Sequence, residues 1–245
     1  MDPMTQTTPA FYETFWADRA YQFRYALWSA SHDRWPAIRA VWGDLPLPGR
    51  VLDYGSGNGV LTDWLAAHRF GHEVIGLDIS TTGVAAAQEA FQRPNLRFEV
   101  LDPAVGTGHL GTVDAIVSSH VLEHVPDPEA VLRAMRPQAD WFVLEVPLED
   151  CLMQSVIASM RSRPRTDNPL GHLHFWTRES FLGLLQRCGY AVVREHQYAS
   201  APYCPFIGGG ARAMRRLLLS GGLNVYSRLM ATHLCVLVRR DPFSK

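Results

Sequence analysis

The residues best suited to chemistry fall in two runs. One is His120-Val-Leu-Glu123-His124, which sets two imidazoles and a carboxylate close together. On a helix, positions three and four apart share a face, so the spacing predicts that all three side chains project the same way. Such a set has two chemical uses. A neutral imidazole can take the proton of an acceptor hydroxyl, or imidazoles and a carboxylate can hold a divalent ion that lowers that hydroxyl's pKa. The same H-x-x-E-H spelling holds zinc in inverzincin proteases, which need a long uninterrupted helix. Here it follows directly on an apolar strand-like run, Asp114-Ala-Ile-Val-Ser-Ser119, and the protease reading fails.

The second run is Val51-Leu-Asp53-Tyr-Gly55-Ser-Gly57-Asn-Gly59. A glycine-rich turn between strand and helix lets backbone approach a ligand closely. Nicotinamide-binding proteins use a similar spelling, but their third glycine falls where this chain has Val60. Asp53 would also repel a pyrophosphate, whereas it suits a ligand carrying a cationic amine or sulfonium.

The elements that must position these residues alternate. Apolar strand-like runs occupy 50–54, 73–78, 96–101, 112–118 and 140–146. Helical periodicity fills 58–69, 81–91 and 121–135, with only a short loop after the third strand. Alternation at these lengths implies right-handed crossovers and a mostly parallel sheet. Residues 151–176, with Pro164, Pro169 and Gly171, read as irregular; a helix over 177–187 ends at Gly189. Strands at 190–197 and 232–239 flank an insertion containing Gly208-Gly209-Gly210 and a helix-like Ala211–Leu219. Before all of this, 1–48 is rich in aromatics, among them Phe11, Tyr12, Trp16 and Tyr21, and reads as one or two helices covering the mouth of the 49–245 domain.

Bulk properties narrow the class. The 245 residues are 47% hydrophobic and 19% charged, with formal net charge −1. That is ordinary for a soluble globular enzyme and lacks the basic excess of a nucleic-acid binder. Cys151, Cys188, Cys204 and Cys235 are scattered and form no C-x-x-C pair, as expected for free thiols of a reducing cytoplasm. No apolar run reaches the ~18 residues that span a bilayer, and no secretory signal opens the chain. Met1-Asp-Pro-Met4 reads as an added start, with Met4 the natural one.

Taken in order, the motifs resemble the class I S-adenosylmethionine-dependent methyltransferases. The glycine loop is followed by Val74-Ile-Gly-Leu-Asp78-Ile79, by Leu96-Arg-Phe-Glu-Val-Leu-Asp102 and by Asp114 through Pro128. Trp176-Thr177-Arg through Gly189-Tyr190 completes the set. The resemblance implies a doubly wound, Rossmann-like seven-stranded sheet, mostly parallel, with one antiparallel strand near the C-terminus. It places Asp53, Gly55, Gly57, Gly59, Asp78, Ile79, Asp102 and Ser119 around S-adenosyl-L-methionine. Asp78 would hold both ribose hydroxyls, Ile79 one adenine face and Asp102 the adenine amino group.

Ubiquinone-pathway O-methyltransferases and plant small-RNA 2′-O-methyltransferases carry an E-x-x-E-H similar to the run at 120–124. In the RNA enzymes it holds a divalent ion together with a later histidine from an H-x-x-x-W-T-R-like stretch. His172-Leu-His174-Phe-Trp176-Thr-Arg178 resembles that stretch, so His120, Glu123, His124 and His172 form the implied metal set. His120 replaces the first glutamate, and a set with three imidazoles favours Zn²⁺, Fe²⁺, Mn²⁺ or Co²⁺ over Mg²⁺. Three readings stay open: a bound ion, His120 or His172 as a metal-free general base, or a purely structural histidine.

The N-terminal aromatics, 151–175 with Met153, Met160, Arg161, Arg163 and Arg165, and 199–231 would wall an acceptor pocket. The expected acceptor is a small molecule methylated on oxygen. The alternative is a nucleotide or RNA-end hydroxyl gripped by a metal; an NAD-linked oxidoreductase and a non-catalytic scaffold rank below both.

Overall fold

A computed structural model describes residues 12, 13, 15, 16, 19–103, 106–160, 164–168 and 170–241. Met1 to Met4, Phe11, Arg161, Arg163 and Pro169 lie outside this set, as does the side chain of Tyr21.

Strand β1 (Arg50–Tyr54) occupies the centre because its residues bury on both faces. It pairs in parallel with β2 (Glu73–Asp78) on one side and β4 (Ala115–Ser119) on the other. β3 (Leu96–Val100) extends the first side, and β5 (Trp141–Leu148) the second. β6 (Tyr190–Tyr198) and β7 (Thr232–Arg240) complete the order β3-β2-β1-β4-β5-β7-β6, with β7 antiparallel to both neighbours. The sheet is the one expected, including its single antiparallel strand. Order reverses between β1 and β4, which opens a crevice at the strands' carboxyl ends.

Successive strand side chains point to opposite faces, and each face has its own core. Leu52, Ile75, Ile116, Phe142 and Leu144 pack against α5 (Pro128–Met135) and α7 (Arg178–Arg187). Val51, Val74, Val117 and Val143 pack against α2 (Trp35–Trp42) and α3 (Val60–Ala67). α1 (Arg19–Ser29) runs into α2 through a π-helical turn at Ala30–Arg34, and α4 (Thr81–Ala90) joins β2 to β3. Cys151, Cys188, Cys204 and Cys235 are free and buried. Among the described residues, no helix is long and apolar enough to cross a membrane.

Three expectations need correction. The helix expected over 121–135 begins only at Pro128. Pro128 at its first turn keeps Asp127 out of helical geometry, and Asp127 instead caps the helix, its Oδ1 accepting from Ala130 N–H at 2.9 Å. The run 151–176 is not irregular throughout, since it contains α6 (Leu152–Met160). The insertion carries two helices, α8 (Gly209–Ser220) and α9 (Leu223–Leu229), rather than one.

Phe142 is fully buried and meets the Tyr190 ring edge-on at 4.9 Å. Phe142→Ala should cost about 3–5 kcal/mol in urea unfolding. A loss below about 1 kcal/mol would contradict the packing described.

Candidate active site

The glycine turn takes left-handed backbone at Gly55, Gly57 and Gly59, with φ of 82°, 54° and 77°. At Gly59 a Cβ would also lie 2.6 Å from that of Ala87, so only glycine fits. The N–H groups of Gly55 and Ser56 donate to Leu77 O at 2.7 and 3.0 Å, fixing the turn to β2. Asp78 continues this stitching: its Oδ2 accepts from Gly57 N–H at 2.7 Å and its Oδ1 from Ser80 N–H at 2.9 Å. Each carboxylate oxygen keeps a further lone pair for a ligand. Ser80, not Asp78, caps α4 by accepting from Gly83 N–H at 3.0 Å.

Asp53 is buried and accepts from Thr62 Oγ1 at 2.6 Å; burial pushes its pKa up to about 6. Ile79 is partly buried against the core. Asp102 is exposed just beyond the end of β3. The Ser119 hydroxyl donates to Glu145 Oε2 at 2.6 Å.

The N-terminal segment reaches this turn. Trp16 lies over the loop, its Cδ1 3.1 Å from where a Cβ on Gly83 would stand. Glu13 accepts from the N–H groups of Thr81 and Thr82 at 2.7 and 2.8 Å, at the positive end of α4. Hydrogen bonds from Thr82 and Thr81 bring the Glu13 carboxyl down to about 2.

The histidine run sits in a turn, not on a helix face. His120 adopts φ 59°, a left-handed conformation uncommon for non-glycine residues and concentrated at functional sites. The turn nevertheless converges the side chains. His120 Nδ1 is 3.1 Å from Glu123 Oε1, and His124 Nε2 is 3.8 Å from the same oxygen. Glu123 O accepts from the N–H groups of Leu173 and His174 at 2.7 and 3.1 Å, which brings the later histidine segment alongside. Asn168 Oδ1 accepts from His172 N–H at 3.1 Å. The His124 and His172 rings then lie 4.8 Å apart. His174 plays a different part, donating from Nε2 to Val125 O at 2.9 Å and stacking on Trp176.

Two features fit Glu123, His124 and His172 to a divalent ion. Glu123 is wholly buried, and its Oε2 has no hydrogen-bond partner. Both imidazoles have Nδ1 occupied, His124 donating to Gly171 O at 3.3 Å and His172 to Glu149 Oε2 at 2.6 Å. Metal-bound histidines are oriented in this manner, with the remaining Nε2 free to ligate. One ligand atom from each residue lies within 4.8 Å of the others. Burial raises the Glu123 pKa and lowers that of His124. At His172 burial is outweighed by the Glu149 hydrogen bond and the charges of Glu123 and Glu149, so its pKa rises. Burial, reinforced by the charge of Arg34, takes His120 down to about 3.

His120 meets this set through its Nδ1 on Glu123 and also faces residues that the sequence motifs did not mark. Its Nε2 is 3.9 Å from Glu145 Oε1, and its ring is 5.0 Å from that of His233. Glu145 also accepts from Tyr198 OH. A charged residue inside the apolar run Phe142-Val-Leu-Glu145-Val was the available signal for this cluster.

Residues 20–195 match the family described as a methyltransferase domain. The chain belongs to this family. It is a class I, S-adenosylmethionine-dependent methyltransferase. A ubiquinone biosynthesis O-methyltransferase of Albidiferax ferrireducens is 40% identical over 95 residues, 36% of either chain. The methyltransferase thus spans little more than a third of that curated relative. Two solved structures share the fold. The methyltransferase complexed with the Haloferax volcanii Trm112 methyltransferase activator gives a TM-score of 0.62 at 16% identity, covering 94% of this chain and 97% of that one. An S-adenosylmethionine-dependent methyltransferase of Mesorhizobium loti gives 0.53 at 23% identity, covering 84% and 97%.

Replacing Asp78 with alanine should weaken S-adenosylhomocysteine binding about ten- to a hundredfold, since hydrogen bonds to a charged group are at stake. Isothermal titration calorimetry reads this directly; an unchanged Kd would remove Asp78 from the cofactor seat.

Proposed function

We propose that the methyltransferase moves a methyl group from S-adenosylmethionine to an oxygen of a small acceptor, with Glu123, His124 and His172 holding a divalent ion beside that oxygen. The observation that carries this reading is the buried, unpartnered Glu123 Oε2 set against two imidazoles whose Nδ1 positions are already occupied. A bound ion supplies a Lewis acid that lowers the pKa of the acceptor hydroxyl. Two imidazoles and a carboxylate suit Zn²⁺, Fe²⁺, Mn²⁺ or Co²⁺.

His120 makes a poor metal-free base. Its conjugate acid has a pKa of about 3, so it holds a phenol's proton weakly. The protein's own residues contribute orientation: Glu149 fixes the His172 ring, and Gly171 O fixes that of His124. Asp53, Gly55, Gly57, Gly59, Asp78, Ile79 and Asp102 hold the cofactor in this reading, and restricting the reactants to one approach lowers the barrier further.

The relative's printed name, an O-methyltransferase of ubiquinone biosynthesis, favours oxygen as the acceptor atom. A formal charge of −1 favours a small molecule over RNA. The residues preceding 49 cover the acceptor side, as the Tyr12 ring 6.0 Å from that of His124 suggests. The segments 151–175 and 199–231 supply the walls, and Leu152, Met153, Val156 and Met160 of α6 expose apolar surface suited to an apolar acceptor. Buried free cysteines fit action in the cytoplasm.

Transfer from tritiated S-adenosylmethionine to a panel of catechols and phenols tests the reading. A chelator, or His172→Ala, should cut turnover at least about a hundredfold and leave S-adenosylhomocysteine affinity within about twofold. Full turnover in chelator would sink the metal. The pH profile gives a second check. His172 must be neutral to ligate, and the Glu149 hydrogen bond with the charges of Glu123 and Glu149 raises its pKa in the metal-free protein, so at limiting metal activity should fall as pH drops, with a midpoint that added metal lowers. A rate that stays level as pH drops at limiting metal would exclude His172 as a required neutral group.

A further inference from the structure

Beside the Glu123 set lies a second cluster that the proposed function does not use. We propose that His120, Glu145 and His233 form a separate binding site for a divalent cation. His120 directly follows β4, Glu145 lies in the middle of β5 and His233 near the start of β7, so three neighbouring strands hold them. One ligand atom from each lies within 4.8 Å of the others. Ligands around a zinc-sized ion at about 2.0–2.1 Å stand roughly 3–3.5 Å apart. The His120–Glu145 pair, at 3.9 Å, needs only a small side-chain rotation to close.

The neighbours support the assignment atom by atom. His120 has its Nδ1 on Glu123 Oε1 at 3.1 Å, which leaves Nε2, the nitrogen facing Glu145, for a metal. Glu145 is buried and braced by Ser119 Oγ on one oxygen and by Tyr198 OH on the other, as ligating carboxylates are. His233 stacks on the Tyr198 ring at 5.1 Å, and its Nδ1 is buried with no hydrogen-bond partner. Such an orphan costs free energy unless something fills its place. The left-handed φ of His120 fits the same purpose, because it turns this ring toward β5 and β7 while Glu123 and His124 face the outer set.

Two imidazoles and one carboxylate select a borderline ion such as Zn²⁺, Co²⁺ or Fe²⁺. Metal-free full-length protein titrated with Co²⁺ alone, and followed by visible absorption and by metal analysis after desalting, tests the site. The wild type should retain two equivalents. His233→Gln should retain one, and Glu145→Gln, which preserves shape, should do the same. His172→Gln should also retain one, with a spectrum unlike that of the His233 variant. S-adenosylhomocysteine binding by each variant shows that the fold survives, and it separates this proposal from the methyltransferase reading. A wild type holding a single equivalent that persists in both the His233 and Glu145 variants would overturn the second site. Loss of a single wild-type equivalent in those two variants, with retention in His172→Gln, would keep this site and remove the outer one.

Discussion

The geometry of the histidine cluster depends on how Glu123 is held. Its backbone oxygen receives two N–H groups from the 173–174 segment, and its carboxylate is shut away from water. The first interaction brings a histidine from a distant stretch of chain beside the 120–124 turn. The second leaves an acidic oxygen that protein alone does not satisfy. Burying a carboxylate oxygen without a partner is costly, and the proposed ion would supply the partner that Glu123 Oε2 lacks.

The glycine turn depends on a comparable stitch. Asp78 ends β2 and accepts a hydrogen bond from the glycine turn that ends β1, so one carboxylate aligns two strand ends. Both stitches lie at the carboxyl ends of the parallel strands, where the order of the sheet reverses. The topology therefore brings the glycine turn of β1 and β2 to the same end of the sheet as the side-chain cluster from β4, β5 and β7. β7 matters here because it runs antiparallel, which places its first residues, including His233, at that same end.

Much of this was legible in the sequence, and the misses have physical causes. Strands β1 to β7 follow from apolar runs, and the glycine turn with Asp53 and Asp78 was readable because a tight turn leaves few choices of residue. The geometry of 120–127 was not. Its apolar and charged residues fit helical spacing, but Pro126 and Pro128 hold off the helix, and nothing local announces a left-handed His120. The expected convergence of His120, Glu123, His124 and His172 emerged in altered form, with Glu123, His124 and His172 grouped together and His120, its Nδ1 on Glu123, presenting Nε2 to Glu145. Glu145, Glu149 and His233 went unread because their roles come from pairing across the sheet and from loop closure, which no spacing rule encodes. α6 was missed although Leu152, Met153, Val156 and Met160 recur at helical intervals, since the prolines and glycine farther on dominated that stretch.

The central claim is that cofactor turn and metal set face one another across the acceptor. Anomalous diffraction at the cobalt edge, from crystals grown with Co²⁺ and S-adenosylhomocysteine, tests it most directly. The account predicts a peak bonded to a Glu123 oxygen and to Nε2 of both His124 and His172, with the homocysteine sulfur turned toward it and the ribose on Asp78. A homocysteine seated elsewhere, or no cobalt on Glu123, His124 and His172, would contradict it.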